Sequence, residues 1–274
     1  MQSFFTTSHD NTRLFCRIDE VSNAKAVVLF IHGISEHLGR YDAWAARFGA
    51  IGYHVVRWDL RGHGKSDGAR GYAKNYEALL GDIAHMIALT QMRFTALPIL
   101  LYGHSLGANI ALSYSYAHPH THSALIVTSP FFRTAYRLSW WKRLFGPLLR
   151  LLLPNLRVRN EINYMHLTHD IPTLLALRDD RLVHRMIGVE IGLALQEAGE
   201  KLLNLQGAWG VPLLVLHSRN DHITSFEASE QFCAHRGEET RFIAYDKLYH
   251  ELHFEPERDQ VWADISAWLG EVIH

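Results

Sequence analysis

The chain has 274 residues, of which 48% are hydrophobic and 20% charged, a balance typical of a globular protein with a large core. Its 27 basic and 28 acidic side chains leave a net charge of -1, which excludes any general attraction for nucleic acid. We expect no secretory signal, and no apolar run reaches the roughly 20 residues that span a bilayer. Two distant cysteines, Cys16 and Cys233, predict reduced thiols in a cytoplasmic protein.

Strand and helix patterns alternate through the first half of the chain. Alternating apolar and polar residues at 3–6 and 14–17 predict an antiparallel hairpin at the edge of a sheet. The continuous apolar run at 26–31 predicts a strand that is covered on both faces. Further patterns predict strands at 53–58 and 124–129 and a long helix at 76–94. We therefore predict an α/β fold class with a mostly parallel, doubly wound sheet.

The motif Gly-His-Ser-Leu-Gly at residues 103–107 joins an apolar strand pattern to the start of a helix. Ser105 would lie at a sharp corner, where Gly103 and Gly107 leave room for the backbone to turn. Such a corner holds a serine hydroxyl at the top of a sheet, with the first amides of a helix beside it. Ser105 is therefore the candidate nucleophile, and a tight structural turn is the alternative.

A second loop follows the strand pattern at 26–31 and begins His-Gly-Ile. In hydrolases with a serine corner, a loop at this place supplies one amide of the oxyanion hole. We predict that the backbone amides of Ile34 and Leu106 form that hole, with an ordinary strand-to-helix turn as the alternative. Glu36 and Arg40 either order this loop or contact substrate.

A serine hydroxyl needs an imidazole to take its proton and a carboxylate to hold that imidazole in the correct tautomer. Asp221 and His250 each follow a late strand pattern, in the chain order Ser, Asp, His, and are the candidate acid and base. Asp246 is better explained as a turn residue. His253 is the rival base, but His250 comes sooner after its strand.

Two other histidines, His217 and His222, flank the candidate acid. Both lie on the element that carries Asp221, which is the wrong element for the base.

Between residues 130 and 205 the strand rhythm stops and the content becomes helical. An insertion at this place would lie over the carboxyl ends of the strands and form a lid above Ser105. We predict an apolar acyl pocket with affinity for lipid surfaces, although each side chain is equally well explained by packing of the lid onto the body. The candidate substrate-binding residues are Phe131, Trp140, Trp141 and Leu148.

Two further patterns suggest a metal or a cofactor, but neither is complete. His118, His120 and His122 alternate without a nearby carboxylate or thiolate, so we predict a solvated turn and no metal. The glycine-rich loop at 59–68 lacks the last glycine and the helix start of a dinucleotide fingerprint. We expect it to be scaffold, in which Asp59 and Ser66 satisfy local backbone groups, and we expect no cofactor.

Several stretches, taken together, carry a resemblance to a known family. Residues 32–41 resemble the HGxxEHxxRY loop of monoacylglycerol lipases and the related lysophospholipases of the α/β-hydrolase superfamily. Residues 59–71 are similar to that family's DxRGHGxSxGxRG stretch, and residues 249–255 resemble the segment with its catalytic histidine. The segments 152–156 and 180–185 resemble parts of its cap. The motifs recur in order along nearly the whole chain.

The resemblance implies an α/β-hydrolase fold with Ser105 as nucleophile, Asp221 as acid, His250 as base, and the Ile34 and Leu106 amides as oxyanion donors. It implies hydrolysis of a lipid ester through an acyl-enzyme, without a metal or organic cofactor. The cap matches the family only loosely, so neither acyl length nor head group carries over.

The chain is therefore predicted to divide into a first core segment at 1–129, a helical cap at 130–205 and a second core segment at 206–274. The cap is inserted after the strand that follows the serine corner.

The predicted partner is a small ester or lipid, with peripheral membrane contact through the cap. A lysophospholipase or a short-chain carboxylesterase is the alternative, and an acyltransferase or a non-catalytic binding protein is less favoured. A lysophospholipase would place cations at the mouth of the cap, and the candidates are Arg133, Arg137, Lys142 and Arg143.

Overall fold

The computed structural model describes residues 1–136 and 139–273, apart from the side chains of residues 141–143. The strands of the described residues are β1 (Gln2–Thr7), β2 (Arg13–Asp19), β3 (Ala26–Ile31), β4 (Tyr53–Trp58), β5 (Ile99–His104), β6 (Ala124–Thr128), β7 (Arg157–Arg159), β8 (Met186–Gly188), β9 (Leu213–Ser218) and β10 (Thr240–Tyr245). The α-helices are α1 (Asp42–Ala50), α2 (Tyr76–Arg93), α3 (Leu106–Ala117), α4 (Trp140–Leu152), α5 (Ile171–Asp179), α6 (Val189–Asn204), α7 (Phe226–Cys233) and α8 (Arg258–Val272).

One sheet dominates the described chain, with the strand order β1-β2-β4-β3-β5-β6-β9-β10. The strand β2 is antiparallel to β1 and to β4, and the pairs from β4 through β3, β5, β6 and β9 to β10 are parallel. The predicted edge hairpin and mostly parallel sheet are therefore confirmed. Parallel strands need a crossover between them, and the helices that provide it cover both faces of the sheet.

The residues of β3 alternate between two hydrophobic cores. Val27 and Leu29 point toward the core that contains residues of α2, α3, α6 and α7. Val28 and Phe30 point toward the core that contains residues of α1 and α8. Every residue of β3 is buried, and removing each large apolar side chain from water stabilises the fold by roughly 1.5 to 3 kcal/mol. The continuous apolar run in the sequence thus reflects two buried faces.

The connection from β6 to β9 runs over the end of the sheet and contains α4, β7, α5, β8 and α6. The strands β7 and β8 pair in an antiparallel ribbon, so the expectation of purely helical content in this stretch is incomplete. Each of these strands has only 3 residues, too few to show alternation in the sequence. The division into segments 1–129, 130–205 and 206–274 stays a prediction, and we use "cap" below for residues 130–205.

The stretch from His118 to His122 differs in part from the predicted solvated turn. His122 is buried, and its Nε2 lies 2.8 Å from Ser115 Oγ on α3. The same hydroxyl accepts a bond of 3.0 Å from the indole of Trp209. Within the described residues, no group of three or more His, Cys, Asp or Glu is arranged to hold a metal ion.

The serine corner depends on the close approach of its two glycines to neighbouring backbone. A Cβ on Gly103 would lie 2.7 Å from Ala108 Cα, and a Cβ on Gly107 would collide with the carbonyl oxygen of Ile31 in β3. Real Cβ atoms do not occupy such space, so the prediction that the corner leaves no room for side chains is confirmed.

We expect Gly107→Ala to destabilise the protein by about 1 to 3 kcal/mol or more, because the collision involves backbone that cannot move without shifting β3. Gly270→Ala is the matched control, since Gly270 also lies in a helix but its added Cβ would have no heavy atom within 4 Å. That variant should be neutral or more stable by up to about 1 kcal/mol. Urea denaturation monitored by circular dichroism measures both, and equal stabilities of the two variants would contradict the packing argument.

Candidate active site

Ser105 lies between β5 and α3 in a strained backbone conformation. Its φ of 53° and ψ of −114° fall outside the regions that a residue with a side chain ordinarily adopts. Three backbone bonds hold it there: its amide donates to Thr128 O at 3.0 Å, and its carbonyl accepts from Asn109 at 3.1 Å and from Phe131 at 3.2 Å. The corner is therefore fixed by the sheet, the helix and the first residues of the cap.

The structure brings Asp221 and His250 together at the same end of the sheet. Asp221 follows β9 and His250 follows β10, and these strands are parallel neighbours. The distance from His250 Nδ1 to Asp221 Oδ2 is 2.7 Å. The His250 ring also packs on His104, the residue before Ser105, with 4.8 Å between the ring centroids. All three predicted residues thus meet at the carboxyl ends of β5, β9 and β10.

The two rivals have other partners, although His253 also packs on His104, with 4.8 Å between the ring centroids. The Asp246 carboxylate is 82% exposed and faces the Arg219 guanidinium at 3.4 Å. The His253 ring stacks on Tyr41 with a centroid distance of 4.8 Å, and neither of its nitrogens has a hydrogen-bond partner among the described residues.

Burial and charge act in opposite directions on the Asp221–His250 pair. Burial raises the pKa of Asp221, but the charge of His250 and the hydrogen bonds from His217 and His250 outweigh it, so this pKa lies well below the ordinary 3.8. Burial lowers the pKa of His250, but the Asp221 carboxylate more than offsets it, so this pKa lies above the ordinary 6.5. At neutral pH an ionised carboxylate therefore faces a comparatively basic imidazole.

The loop after β3 passes close to Ser105. A methyl group added to Gly33 would lie 3.4 Å from Ser105 Cβ, and both Ile34 and Leu106 line the same cavity as the serine. In the described part of the chain, neither the Ile34 amide nor the Leu106 amide donates a hydrogen bond to another residue. The first amides of a helix have no partner within it, so Leu106 can donate to a bound oxygen.

Buried ion pairs order this loop. The Gly33 amide donates to Glu36 Oε1 at 2.6 Å, and the Arg40 guanidinium donates to Glu36 Oε2 at 2.7 Å. Arg40 also donates to both carboxylate oxygens of Glu251, at 2.6 and 2.7 Å. Neither Glu36 nor Arg40 lines the cavity, so the structure favours loop ordering over substrate contact for both. The network also ties the loop to the residue that follows His250.

Three buried side chains support the acid and the base in ways that were not predicted from the sequence. Ser129, with a φ of 45°, donates its hydroxyl to the carbonyl of His250 at 2.7 Å. Thr224 donates its hydroxyl to Asp221 Oδ2 at 2.8 Å, and His217 Nε2 lies 3.0 Å from the same oxygen. Their position in the sequence could have indicated these roles, since each residue lies at or just beyond the end of a strand on this edge of the sheet.

A cavity of about 150 Å³ opens beside Ser105 beneath the cap. Phe131 lines it as predicted, but the residues of α4 that face it are Gly146 and Leu149. Trp140 is 71% exposed, Leu148 is 51% exposed, and neither lines the cavity. The side chain of Trp141 lies outside the described residues. The lining is mainly apolar and includes Ile34, Leu106, Val158, Ile162, Ile187, Val189, Leu193, Leu195 and Ile223, with Thr134, Tyr136, Asn160, Glu161 and Gln196 as its polar members beside Ser105.

Comparison with known proteins agrees with this geometry. The model of the family described as Serine aminopeptidase, S33 matches residues 22–257. A monoacylglycerol lipase of Mycolicibacterium smegmatis is 29% identical over 250 residues, covering 90% of this chain and 89% of that protein. An abhydrolase domain-containing protein of Dictyostelium discoideum is 34% identical over 251 residues, covering 90% of this chain but 26% of that protein.

A solved structure shares the fold. It is a soluble variant of the monoglyceride lipase of Saccharomyces cerevisiae in complex with a substrate analog, with a TM-score of 0.88 and 19% identity. The match covers 100% of this chain and 96% of that chain. The predicted α/β-hydrolase fold is confirmed by this likeness and by the sheet topology.

We expect Asp221→Asn to lower the pKa of His250 from above 6.5 to below 6.5. Burial still lowers this pKa in the variant, whereas the carboxylate charge that raises it is removed. The measurement is an NMR pH titration of the His250 ring protons. His54 on β4, which packs on Phe94 rather than on the site, is the control and should titrate alike in both proteins. A wild-type pKa below 6.5 would refute this account of the charges.

Proposed function

This chain belongs to the family described as Serine aminopeptidase, S33, and we propose that it cleaves monoacylglycerol-like lipid esters through a triad of Ser105, His250 and Asp221. It is a carboxylic ester hydrolase of the α/β-hydrolase fold, similar to monoacylglycerol lipases. The observation that carries the triad is the hydrogen-bonded Asp221–His250 pair, held next to a strained serine that borders an apolar cavity.

The proposed reaction has two acyl-transfer steps. His250 takes the proton of the Ser105 hydroxyl as its oxygen attacks the ester carbonyl, and the resulting oxyanion accepts hydrogen bonds from the Ile34 and Leu106 amides. The tetrahedral intermediate expels the alcohol, which receives the proton from His250. Water then gives a proton to His250 and attacks the acyl-enzyme, and His250 returns that proton to the Ser105 oxygen as the fatty acid is released. The loss of one oxyanion donor typically costs roughly 3 to 4 kcal/mol of transition-state stabilisation.

Asp221 has two tasks in this scheme. Its bond to Nδ1 fixes the His250 tautomer, which leaves Nε2 free to accept the serine proton. Its negative charge then stabilises the imidazolium that forms. The depressed pKa of Asp221 keeps the carboxylate ionised for both tasks.

The lining of the cavity supports an ester with an apolar acyl chain. Phe131, Leu149, Ile187 and Leu193 offer surface for the chain, since burial of apolar groups is the main driving force for its binding. A neutral alcohol group is favoured over a phosphate, because Arg133 is engaged by Glu200 at 2.5 and 2.7 Å on the protein surface. The other cations proposed for a lysophospholipase, Arg137, Lys142 and Arg143, lie outside the described side chains.

An ester panel with increasing acyl length tests the proposal. We expect the wild type to prefer medium or long chains of monoacylglycerol, and Ser105→Ala to lower kcat by about 10⁴-fold or more. Ser266→Ala, which truncates a serine on α8, is the matched control and should retain full activity. Release of fatty acid measured by titration gives all three rates.

Each outcome of that panel has a separate meaning. Equal activity of Ser105→Ala and the wild type would refute the serine mechanism. Preference for acetyl esters would replace the lipid substrate by a short-chain one, and preference for lysophospholipid would assign the alternative head group. Faster cleavage of an aminoacyl nitroanilide would favour peptidase activity, and transfer to an added alcohol would favour an acyltransferase.

The outer face of α4 supports contact with a lipid surface. Along the described residues, every helix is too short or too polar to traverse a bilayer. Among its described side chains, the exposed residues of α4 are nevertheless apolar, and they are Trp140, Leu144, Phe145, Pro147, Leu148, Leu151 and Leu152. Contiguous apolar surface of this kind is typical of an interfacial helix, so we infer peripheral binding through the cap.

The free thiols of Cys16 and Cys233 support a cytoplasmic location.

We expect the double substitution Leu144→Ser and Leu151→Ser to reduce co-sedimentation with phosphatidylcholine vesicles at least about tenfold, since 64% and 78% of these side chains are exposed. Met92→Ser is the control, because Met92 on α2 is 78% exposed but lies outside the cap. Hydrolysis of a water-soluble ester should not change in either protein, because none of these residues lines the cavity. Equal sedimentation of all three proteins would contradict membrane contact through α4.

A further inference from the structure

We propose that His217 is a positioning residue that holds the Asp221 carboxylate toward His250 and shares its negative charge. This inference rests on the proposed triad. His217 is the penultimate residue of β9, it is fully buried, and it contacts no part of the cavity. Its role is therefore exerted through Asp221.

Both ring nitrogens of His217 have a buried polar partner. Nε2 lies 3.0 Å from Asp221 Oδ2, and Nδ1 lies 2.7 Å from Ser229 Oγ on α7. Ser229 is itself fully buried. Burial requires a partner for each of these nitrogens, and the two contacts together fix the orientation of the His217 ring toward Asp221.

The partners determine which nitrogen of His217 carries the proton. An ionised carboxylate only accepts hydrogen bonds, so Nε2 must donate its proton to Asp221. Nδ1 of the neutral ring is then an acceptor, and the Ser229 hydroxyl donates to it. Asp221 therefore fixes the tautomer of His217 as well as that of His250, and the bond from Ser229 holds the His217 ring in place.

The two oxygens of Asp221 are held differently. Oδ1 accepts from the amides of Ile223 and Thr224 at 2.7 and 3.1 Å, and these amides belong to the same loop. Oδ2, which faces His250, accepts from His217 and from the Thr224 hydroxyl. That hydroxyl also lies 3.2 Å from the carbonyl of Ser129, so its single proton is shared. His217 is thus, with His250, one of two donors to Oδ2 from outside the loop, and its Nε2 also lies 3.3 Å from the Thr224 hydroxyl.

A donor on Oδ2 also draws negative charge away from the bond to His250. Removal of the His217 donor should make the Asp221 carboxylate a stronger hydrogen-bond acceptor for His250 and raise the pKa of His250. Other charged and titratable groups also face His250, namely Glu251 and His253 from its own loop, Glu36 and Arg40 from the loop after β3, and His104 from β5. None of these is a hydrogen-bond partner of His217, so a substitution there changes the field on His250 through Asp221 and through Thr224, whose hydroxyl lies 3.3 Å from both His217 Nε2 and His250 Nδ1.

The experiment compares four variants on a monoacylglycerol substrate. We expect His217→Leu to lower kcat about tenfold with KM nearly unchanged, and to move the acid limb of the kcat/KM profile upward by about 0.5 pH unit. His217→Gln keeps a donor near the Nε2 position and should restore most of kcat and the wild-type limb. Ser229→Ala removes the bond that holds the Nδ1 side of the His217 ring and should give an intermediate loss.

His122→Leu is the matched control, because His122 is also a buried histidine bonded to a serine but lies on the turn before β6. Its kcat and pH profile should equal those of the wild type. The inference is overturned if His217→Leu behaves like His122→Leu while Ser105→Ala is inactive, or if His217→Gln is as impaired as His217→Leu. If His217→Leu does not fold, an unchanged pH profile in Ser229→Ala overturns it as well. An active Ser105→Ala would instead refute the proposed triad.

Discussion

The buried charge of Asp221 is the constraint on which the rest of the site depends. Removing an ionised carboxylate from water costs several kcal/mol unless hydrogen bonds and an opposing partner replace the lost solvent. Here two loop amides, a hydroxyl and two imidazoles surround the carboxylate. The groups that offset this cost are therefore the same groups that orient the proposed base. Stability of the loop and geometry of the site have a single physical origin.

The parallel sheet supplies the frame for that arrangement. Residues far apart in the chain meet because β5, β9 and β10 all end at one edge, and the loop after β3 ends there too. Two serines at this edge, Ser105 and Ser129, adopt left-handed backbone conformations that cost of order 1 to 3 kcal/mol each. The fully buried strands on either side absorb this strain, since they bury large apolar areas on both faces. The strained serines thus directly follow strands that are fully buried in the core.

Fold class and the placement of Ser105, Asp221 and His250 at one edge of the sheet were readable from the sequence because they depend on order and local pattern. Continuous apolar runs identify buried strands, and the residues just after them lie at the edge of the sheet whatever the details of packing. The role of His217 was not readable, because it depends on where a side chain points within β9 and on a partner in α7. The burial of His122 was missed for the same reason, since its partner Ser115 lies on a different element.

The cap shows a further limit of pattern reading. In the sequence, the apolar residues of α4 fall on one broad face, so their spacing predicts an amphipathic helix without indicating whether that face turns toward the core or toward a lipid surface. The structure places Gly146 and Leu149 toward the cavity, whereas Trp140 and Leu148 face outward. Helix rotation relative to the core is set by tertiary contacts, chiefly the packing of α4 on α6. Only the structure could assign these residues to the two faces.

Hydrogen bonds join the cap to the loop that carries Ile34, the proposed oxyanion donor. His184 of the cap donates its amide to Ser35 O at 3.1 Å, and His37 Nε2 lies 2.7 Å from Asp180 Oδ2. Ser35 directly follows Ile34, so the loop proposed to stabilise the oxyanion is bonded on its far side to the cap. A lipid surface that binds the outer face of α4 acts on the same unit that closes the cavity and supports this loop. Substrate arriving from that surface would therefore enter at the element whose position governs both acyl binding and the oxyanion hole.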